Sequence, residues 1–219
     1  MSPPAALIDR FVTAQLAGNR REAIRLVTDG LGEGGAQRLS FEELYLEVIQ
    51  AAQYRIGELW LANEVTIAQE HLATAIAQLA LSHLYPRLPR AARLGKRVVL
   101  ACVEGELHER GPRIMSDFLE MGGFDVDYLG ANVPTESLVK MVTGRPPDLL
   151  ALSATLSFHL PALRQAVSEV RKAMGRRVPI AVGGHAFSGS PDVPRALDVD
   201  IYARDAKEML DAVRRLLAP

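Results

Sequence analysis

The spacing of apolar residues divides the chain into two regions with different periods. Up to residue 92, apolar positions recur every three or four residues, which is typical of amphipathic helices. Two short helices are expected around residues 7–14 and 23–27, a third opens at the capping box Ser40–Glu43, and a fourth covers about 64–84. Four such helices with short connections predict a four-helix bundle over residues 1–92.

The fourth helix has a predicted buried face and a clear end. Its expected apolar stripe comprises Ile67, Ala68, Leu72, Ala75 and Leu79. Proline lacks the backbone N–H that a helix interior needs, so the prolines at 86 and 89 are expected to end it.

After residue 95 the pattern changes to short apolar runs separated by helical segments. The run at 98–103 does not alternate, which indicates a strand buried on both faces, and shorter runs follow at 124–129, 148–153, 178–182 and 199–202. Strands alternating with helices predict a parallel sheet with a flavodoxin-like, doubly wound order over residues 93–219. Ligands bind such sheets beyond the carboxyl ends of the strands, so the loops after Val103, Leu129, Ser153 and Val182 are the candidate site.

Composition and charge narrow the class of protein. Residues 1–95 hold 9 Arg and no Lys against 10 acidic residues, and the rest of the chain holds 16 basic and 16 acidic residues. Neither region has the basic excess of a nucleic-acid binder, so no direct nucleic-acid partner is expected. The single cysteine, Cys102, suits a reducing cytoplasm, and it is expected to be an inert core thiol. The sequence shows neither a signal peptide nor an apolar run long enough to span a membrane, so a cytoplasmic location is expected.

The loop after the first strand carries the motif Glu106-x-His108-x-x-Gly111. A loop histidine can offer one ring nitrogen to a metal, while a carboxylate two residues earlier accepts the other ring N–H and fixes the tautomer. Gly111 leaves room for a bulky group. The alternative is a solvated loop histidine beside acidic residues.

Two other strand ends carry small residues on the same predicted rim. The third strand ends with the hydroxyl residues Ser153 and Thr155, and the fourth ends with Gly183-Gly184, which permits close backbone approach to a ligand. Three further histidines, His83, His159 and His185, are scattered and are expected to be structural.

The order of these motifs resembles the signature of cobalamin-binding domains, Asp/Glu-x-His-x-x-Gly, Ser-x-Leu and Gly-Gly, with Thr155 in the place of Leu. The resemblance implies that His108 replaces the cofactor's own base as the lower cobalt ligand and that Glu106 supports it. It also implies that Ser153 or Thr155, with Gly183 and Gly184, lines the channel of the nucleotide tail. The implied cofactor is adenosylcobalamin or methylcobalamin.

A second motif lies in the helical region. Trp60 is followed by nine residues and then Glu70-His71, a spacing similar to that of the light-sensing, CarH-type cobalamin photoreceptors. The resemblance implies that these side chains cover the upper face of the cofactor. Leu61 stands where those photoreceptors commonly have a histidine that ligates cobalt after illumination, and His71 could take that role. The alternative places Trp60 in the bundle core and Glu70-His71 on the surface.

Three functions are compatible with these motifs. The first is a light sensor that changes conformation, assembly or partner binding when the upper cobalt–carbon bond breaks, acting as a homo-oligomer with a protein signalling partner. The second is a corrinoid methyl carrier of a methyltransferase system, and the third is a flavodoxin-like module for another ligand, which leaves His108 unexplained. We find no Ser-His-Asp set, P-loop or zinc spacing and expect no enzymatic activity.

Overall fold

The chain forms two compact units, Met1–Leu88 and Pro89–Pro219, separated near the predicted boundary at residue 92. The computed structural model describes residues 3–32, 39–188 and 196–217.

The first unit is helical. Its elements are α1 (Pro3–Leu16), α2 (Arg20–Gly30), a π-helical segment (Glu43–Gln50) that continues into α3 (Ala51–Leu61), α4 (Ile67–Leu84) and a short 3-10 helix (Tyr85–Arg87). The predicted capping box is present, since the Glu43 N–H donates to Ser40 Oγ and the Ser40 N–H donates to the Glu43 carboxylate. Thr66 and Gln69 form a second capping box that begins α4.

The buried face of α4 differs from the predicted stripe. Ile67, Ala68 and Ala75 are exposed. Alanine and leucine occur on several sides of this helix, so the apolar spacing fits more than one face and periodicity alone cannot select the buried one. The buried residues are Ala73, Ile76, Ala77, Ala80, Leu81 and Leu84.

The second unit is a five-stranded parallel sheet with helices between the strands. The strands are β1 (Arg97–Cys102), β2 (Asp125–Tyr128), β3 (Leu149–Ser153), β4 (Ile180–Gly183) and β5 (Ile201–Ala203). The helices are α5 (Arg110–Met121), α6 (Thr135–Gly144), α7 (Leu160–Met174) and α8 (Ala206–Leu217). The strand order β2-β1-β3-β4-β5 confirms the predicted doubly wound, flavodoxin-like sheet.

The register of the sheet determines which strand ends are neighbours. Cys102 pairs with Ser153, and Ser153 pairs with Gly183, so β1, β3 and β4 end at the same level. The order reverses at β1 and β3, and a doubly wound sheet binds its ligand at such a point. None of the helices in the described part of the chain is long and apolar enough to cross a membrane.

Candidate functional site

The loop between β1 and α5 places His108 at the carboxyl edge of the sheet, directly beside Glu106. Oε1 of Glu106 accepts hydrogen bonds from the backbone N–H of His108 at 2.8 Å and from its ring Nδ1 at 2.6 Å. Because an ionised carboxylate can only accept, Nδ1 carries the proton and Nε2 is the ring nitrogen with a lone pair for a metal. The His108 side chain is 49% exposed, so the imidazole is accessible from the rim.

The second oxygen of Glu106 binds the loop that follows β3. Oε2 accepts hydrogen bonds from the backbone N–H groups of Thr155 at 2.6 Å and Leu156 at 3.3 Å, and from Nδ1 of His159 at 2.8 Å. One carboxylate therefore joins the loops that carry His108 and His159. His159 is thus part of the site, and no local spacing could have indicated it, since it lies 53 residues beyond Glu106.

Glu106 remains ionised although it is completely buried. Burial alone would raise the pKa of this carboxyl, but the hydrogen bonds from His108, Thr155 and His159 lower the pKa to about 2. The Glu106 carboxylate is therefore a fixed negative charge behind the exposed imidazole. Such a partner orients a ligating histidine and increases the basicity of its other nitrogen.

Two residues that sequence reasoning missed, Asn132 and Thr135, hold the same loop. The Asn132 side chain accepts a hydrogen bond from the Gly105 N–H at 2.8 Å, and the Asn132 N–H donates to the Glu106 carbonyl at 2.9 Å. Glu104 accepts a hydrogen bond from the Thr135 N–H at 3.2 Å at the start of α6. The signal for Asn132 was weak but present, because asparagine tolerates the left-handed conformation that it adopts here, with φ of 52°.

The surroundings of two glycines of the site, Gly111 and Gly184, differ. A Cβ placed on Gly111 would meet nothing within 4 Å, so this position opens into space, as the motif requires. Gly184, with φ of 109°, is packed so closely that a Cβ would overlap the carbonyl oxygen of Ala154. Gly184 is therefore needed for packing between protein loops.

The remaining rim residues differ in accessibility. Ser153 is buried at the end of β3, while Thr155 is half-buried and binds Glu106 through its backbone. Leu107 and Phe158 are large apolar residues that are mostly exposed on the loops carrying His108 and His159. They place two exposed apolar side chains beside the two histidines.

The Cys102 thiol lies beneath the site in β1 and is buried. Burial, with the nearby charges of Glu106 and Glu109, raises the pKa of this thiol to about 12. Its burial agrees with the predicted core position, and the high pKa makes it unreactive at neutral pH.

In the first unit, Trp60 lies near the end of α3 and is 43% exposed, so it is not part of the bundle core. Glu70 lies in the first turn of α4, where its Oε1 accepts from Thr74 Oγ1 at 2.8 Å and its Oε2 lies 2.6 Å from His71 Nδ1. Leu61, beside Trp60, is 73% exposed. These residues present apolar and acidic groups at the α3–α4 end of this unit.

The donor set of the second unit fits a cobalt corrinoid. The His108 imidazole is accessible and has its proton fixed on Nδ1, so it would offer Nε2 to the metal, and a buried carboxylate supports it. A Cβ on Gly111 would meet nothing within 4 Å, so no protein atom blocks a ligand directly beside that position. His108 would hold the metal and Glu106 would hold His108.

Comparison with known proteins gives the family. Residues 96–214 match the family model of a B12 binding domain, and residues 7–85 match a second model with the same description. The HTH-type transcriptional repressor CarH of Myxococcus xanthus is 32% identical over 158 residues, which make up 71% of this chain and 52% of CarH. The chain thus spans about half the length of that relative.

Two corrinoid proteins are also similar. Dimethylamine corrinoid protein 1 of Methanosarcina acetivorans is 30% identical over 165 residues, which make up 74% of each chain. The solved structure of the monomethylamine corrinoid protein of Methanosarcina barkeri superposes with a TM-score of 0.82 at 18% identity and covers 96% of this chain and 98% of that one. The chain therefore belongs to the B12 binding domain family, and its cofactor is cobalamin.

Proposed function

We propose that this protein is a cobalamin-binding light sensor, with His108 as the lower axial ligand and Trp60, Glu70 and His71 in contact with the upper ligand. The observation that carries the proposal is that Trp60 is exposed near the end of α3, and that Glu70 and His71 form a hydrogen-bonded pair near the start of the next helix, α4. The similarity to CarH supports it. When bound, the cofactor supplies a cobalt–carbon bond that visible light cleaves.

Each residue has a defined task in this proposal. Glu106 keeps the proton of His108 on Nδ1, so Nε2 stays available to the metal. The indole of Trp60 offers an apolar surface to an alkyl or adenosyl group, and Glu70, held by Thr74, offers a carboxylate to ribose hydroxyls. Loss of the upper ligand would remove these contacts and would change the conformation, the homo-oligomeric state or the binding to a protein partner.

A corrinoid methyl carrier is the second candidate. The similarity to dimethylamine corrinoid protein 1 extends over 74% of both chains, and this favours it. In that function the protein presents its cofactor to methyltransferase partners and has no enzymatic activity of its own. The exposed Leu61, in place of a second histidine ligand, is compatible with either function.

Illumination separates the two candidates. We expect the complex with adenosylcobalamin to change its absorption spectrum and its elution volume in size exclusion after green light. Trp60→Ala and Glu70→Gln should reduce the elution change, whereas Glu64→Gln, an exposed acid in the α3–α4 turn, should leave it intact. Elution that does not respond to light, together with methyl transfer to a partner enzyme, would establish the carrier instead.

A separate experiment tests whether His108 is the lower ligand of cobalt. His108→Ala should lose the spectrum of imidazole-ligated cobalamin, because Nε2 of His108 is the proposed ligand of cobalt. His83→Ala, in the helical unit, is the control and should keep that spectrum. An unchanged spectrum in His108→Ala would exclude His108 as the ligand.

A further inference from the structure

A residue at the C-terminal end of β2 contacts the loop between β1 and α5, which carries His108. The proposed function does not use this contact. The hydroxyl of Tyr128 donates to the backbone carbonyl of Glu109 at 3.0 Å, and the Glu109 carboxylate lies 3.3 Å from the same hydroxyl. Glu109 directly follows His108 and is the residue before the first turn of α5. The phenol therefore holds the residue next to the proposed metal ligand.

The Glu109 carbonyl also takes part in the first hydrogen bond of the following helix, α5. It accepts the N–H of Arg113 at 2.9 Å, which is the first helical hydrogen bond of α5, in addition to the Tyr128 hydroxyl. Gly130 packs against Glu109 as well, since a Cβ there would lie 3.2 Å from the carboxylate. The end of β2 and the turn after it thus fix both the peptide and the side chain of Glu109.

His108 consequently lies between two anchored residues. On one side, Glu106 is buried and binds the His108 ring and backbone. On the other side, Glu109 is bound by Tyr128. The His108 side chain is 49% exposed, and its backbone lies between these two anchored residues, so the direction of the ring depends on their positions.

Tyr128 is suited to this task because its hydroxyl keeps its proton. Burial, together with the negative charge of Glu109, raises the pKa of the phenol well above its usual value. The hydroxyl therefore remains a donor at neutral pH.

We infer that Tyr128 is a positioning residue for the axial ligand: its hydrogen bond to Glu109 fixes the segment that presents His108 to cobalt. The inference rests on the proposed role of His108 as lower ligand and is independent of whether the protein senses light or carries methyl groups. It predicts that the phenol hydroxyl affects cofactor binding only through His108.

Tyr128→Phe removes this hydroxyl and little else. The matched control is Tyr202→Phe, which removes a phenol hydroxyl from β5, the opposite edge strand, where the Tyr202 ring packs against Phe187. The measurements are the dissociation constant of cob(II)alamin and its EPR spectrum in full-length protein labelled with ¹⁵N-histidine. Coupling to ¹⁵N reports ligation by a protein histidine rather than by the cofactor's own base.

We expect Tyr128→Phe to weaken binding by about threefold to tenfold, the loss typical of one intramolecular hydrogen bond, and to lower the fraction with ¹⁵N coupling. Tyr202→Phe should change neither. In the His108→Ala background, Tyr128→Phe should weaken binding by less than about twofold, because the ligand through which it acts is gone.

Two results would overturn the role of Tyr128 without affecting the assignment of His108 as the ligand. One is wild-type affinity and coupling in Tyr128→Phe, and the other is an equal loss of affinity in both backgrounds, which would indicate a general structural effect. If His108→Ala itself retained the ¹⁵N coupling, the ligand assignment would be wrong and this inference would fall with it.

Discussion

The charge of Glu106 can be removed with almost no change of shape by the substitution Glu106→Gln. In the wild-type protein the two carboxylate oxygens accept five hydrogen bonds, from two groups of His108, the N–H groups of Thr155 and Leu156, and His159. A glutamine has one acceptor oxygen and one donor NH₂. Whichever way it is oriented, its NH₂ faces groups that are themselves donors.

The size of the effect follows from the pKa of Glu106. A carboxyl with a pKa of about 4.3 in the unfolded chain and about 2 in the folded protein contributes roughly 3 kcal/mol to stability at neutral pH. Because the folded pKa is the lower one, the contribution is complete above about pH 4.3 and is lost as the pH falls towards 2. We therefore expect Glu106→Gln to lower the free energy of unfolding by about 3 kcal/mol at pH 7 and to flatten its pH dependence between these values.

Urea unfolding followed by far-UV circular dichroism measures this free energy for the whole chain. Tryptophan fluorescence is unsuitable, because the only tryptophan, Trp60, belongs to the helical unit, whereas Glu106 belongs to the second unit. Titrations at several pH values from 2 to 7 give the slope as well as the magnitude.

Glu104→Gln is the matched control. It changes a carboxylate of the same loop, but this one is exposed and has a hydrogen bond to the Thr135 N–H, so the expected loss is below about 1 kcal/mol. The reasoning would be refuted if Glu106→Gln were as stable as Glu104→Gln, or if its stability fell with acid in parallel with the wild type.

Two further predictions concern the same unit. Cys102, buried and with a pKa raised to about 12, should resist a thiol reagent at pH 8 in the native protein and react fully in urea, and rapid native labelling would contradict its burial. Gly184→Ala should lower the free energy of unfolding by about 3 kcal/mol, because its Cβ meets the Ala154 carbonyl at an unfavourable φ, whereas Gly111→Ala, which opens into space, should change it by less than about 1 kcal/mol. Equal urea midpoints for the two glycine variants would show that the loops do not pack as described.

The parallel sheet could be predicted because strands buried on both faces leave continuous apolar runs, such as the run at 98–103, which covers most of β1. The buried side of α4 could not be predicted, since apolar residues on several sides of a helix fit more than one stripe. Periodicity identifies the buried face of a helix only when the opposite face is polar.

Some contacts of the site could likewise be predicted from the sequence, and others could not. Glu106 and His108 are two residues apart, so their contact is visible in the sequence. His159, Asn132 and Tyr128 reach the same loop from other strand ends, and their contacts depend on the order and register of the strands. A motif thus indicates the ligand, whereas the fold determines what holds it.

This distribution of contacts also bears on how one family can include both a repressor and methylamine corrinoid proteins. The groups described as holding Glu106 and His108 belong to the second unit, which positions the axial imidazole with its own loops. The residues proposed to contact the upper ligand, Trp60 and Glu70 among them, belong to the first unit. Under the proposed function, a change in the first unit should alter the response to light without altering the contacts within the second unit that hold His108. Exchange of Trp60 or Leu61 is therefore expected to change the proposed light response or access to the cofactor, and to leave the spectrum assigned to ligation by His108 unchanged.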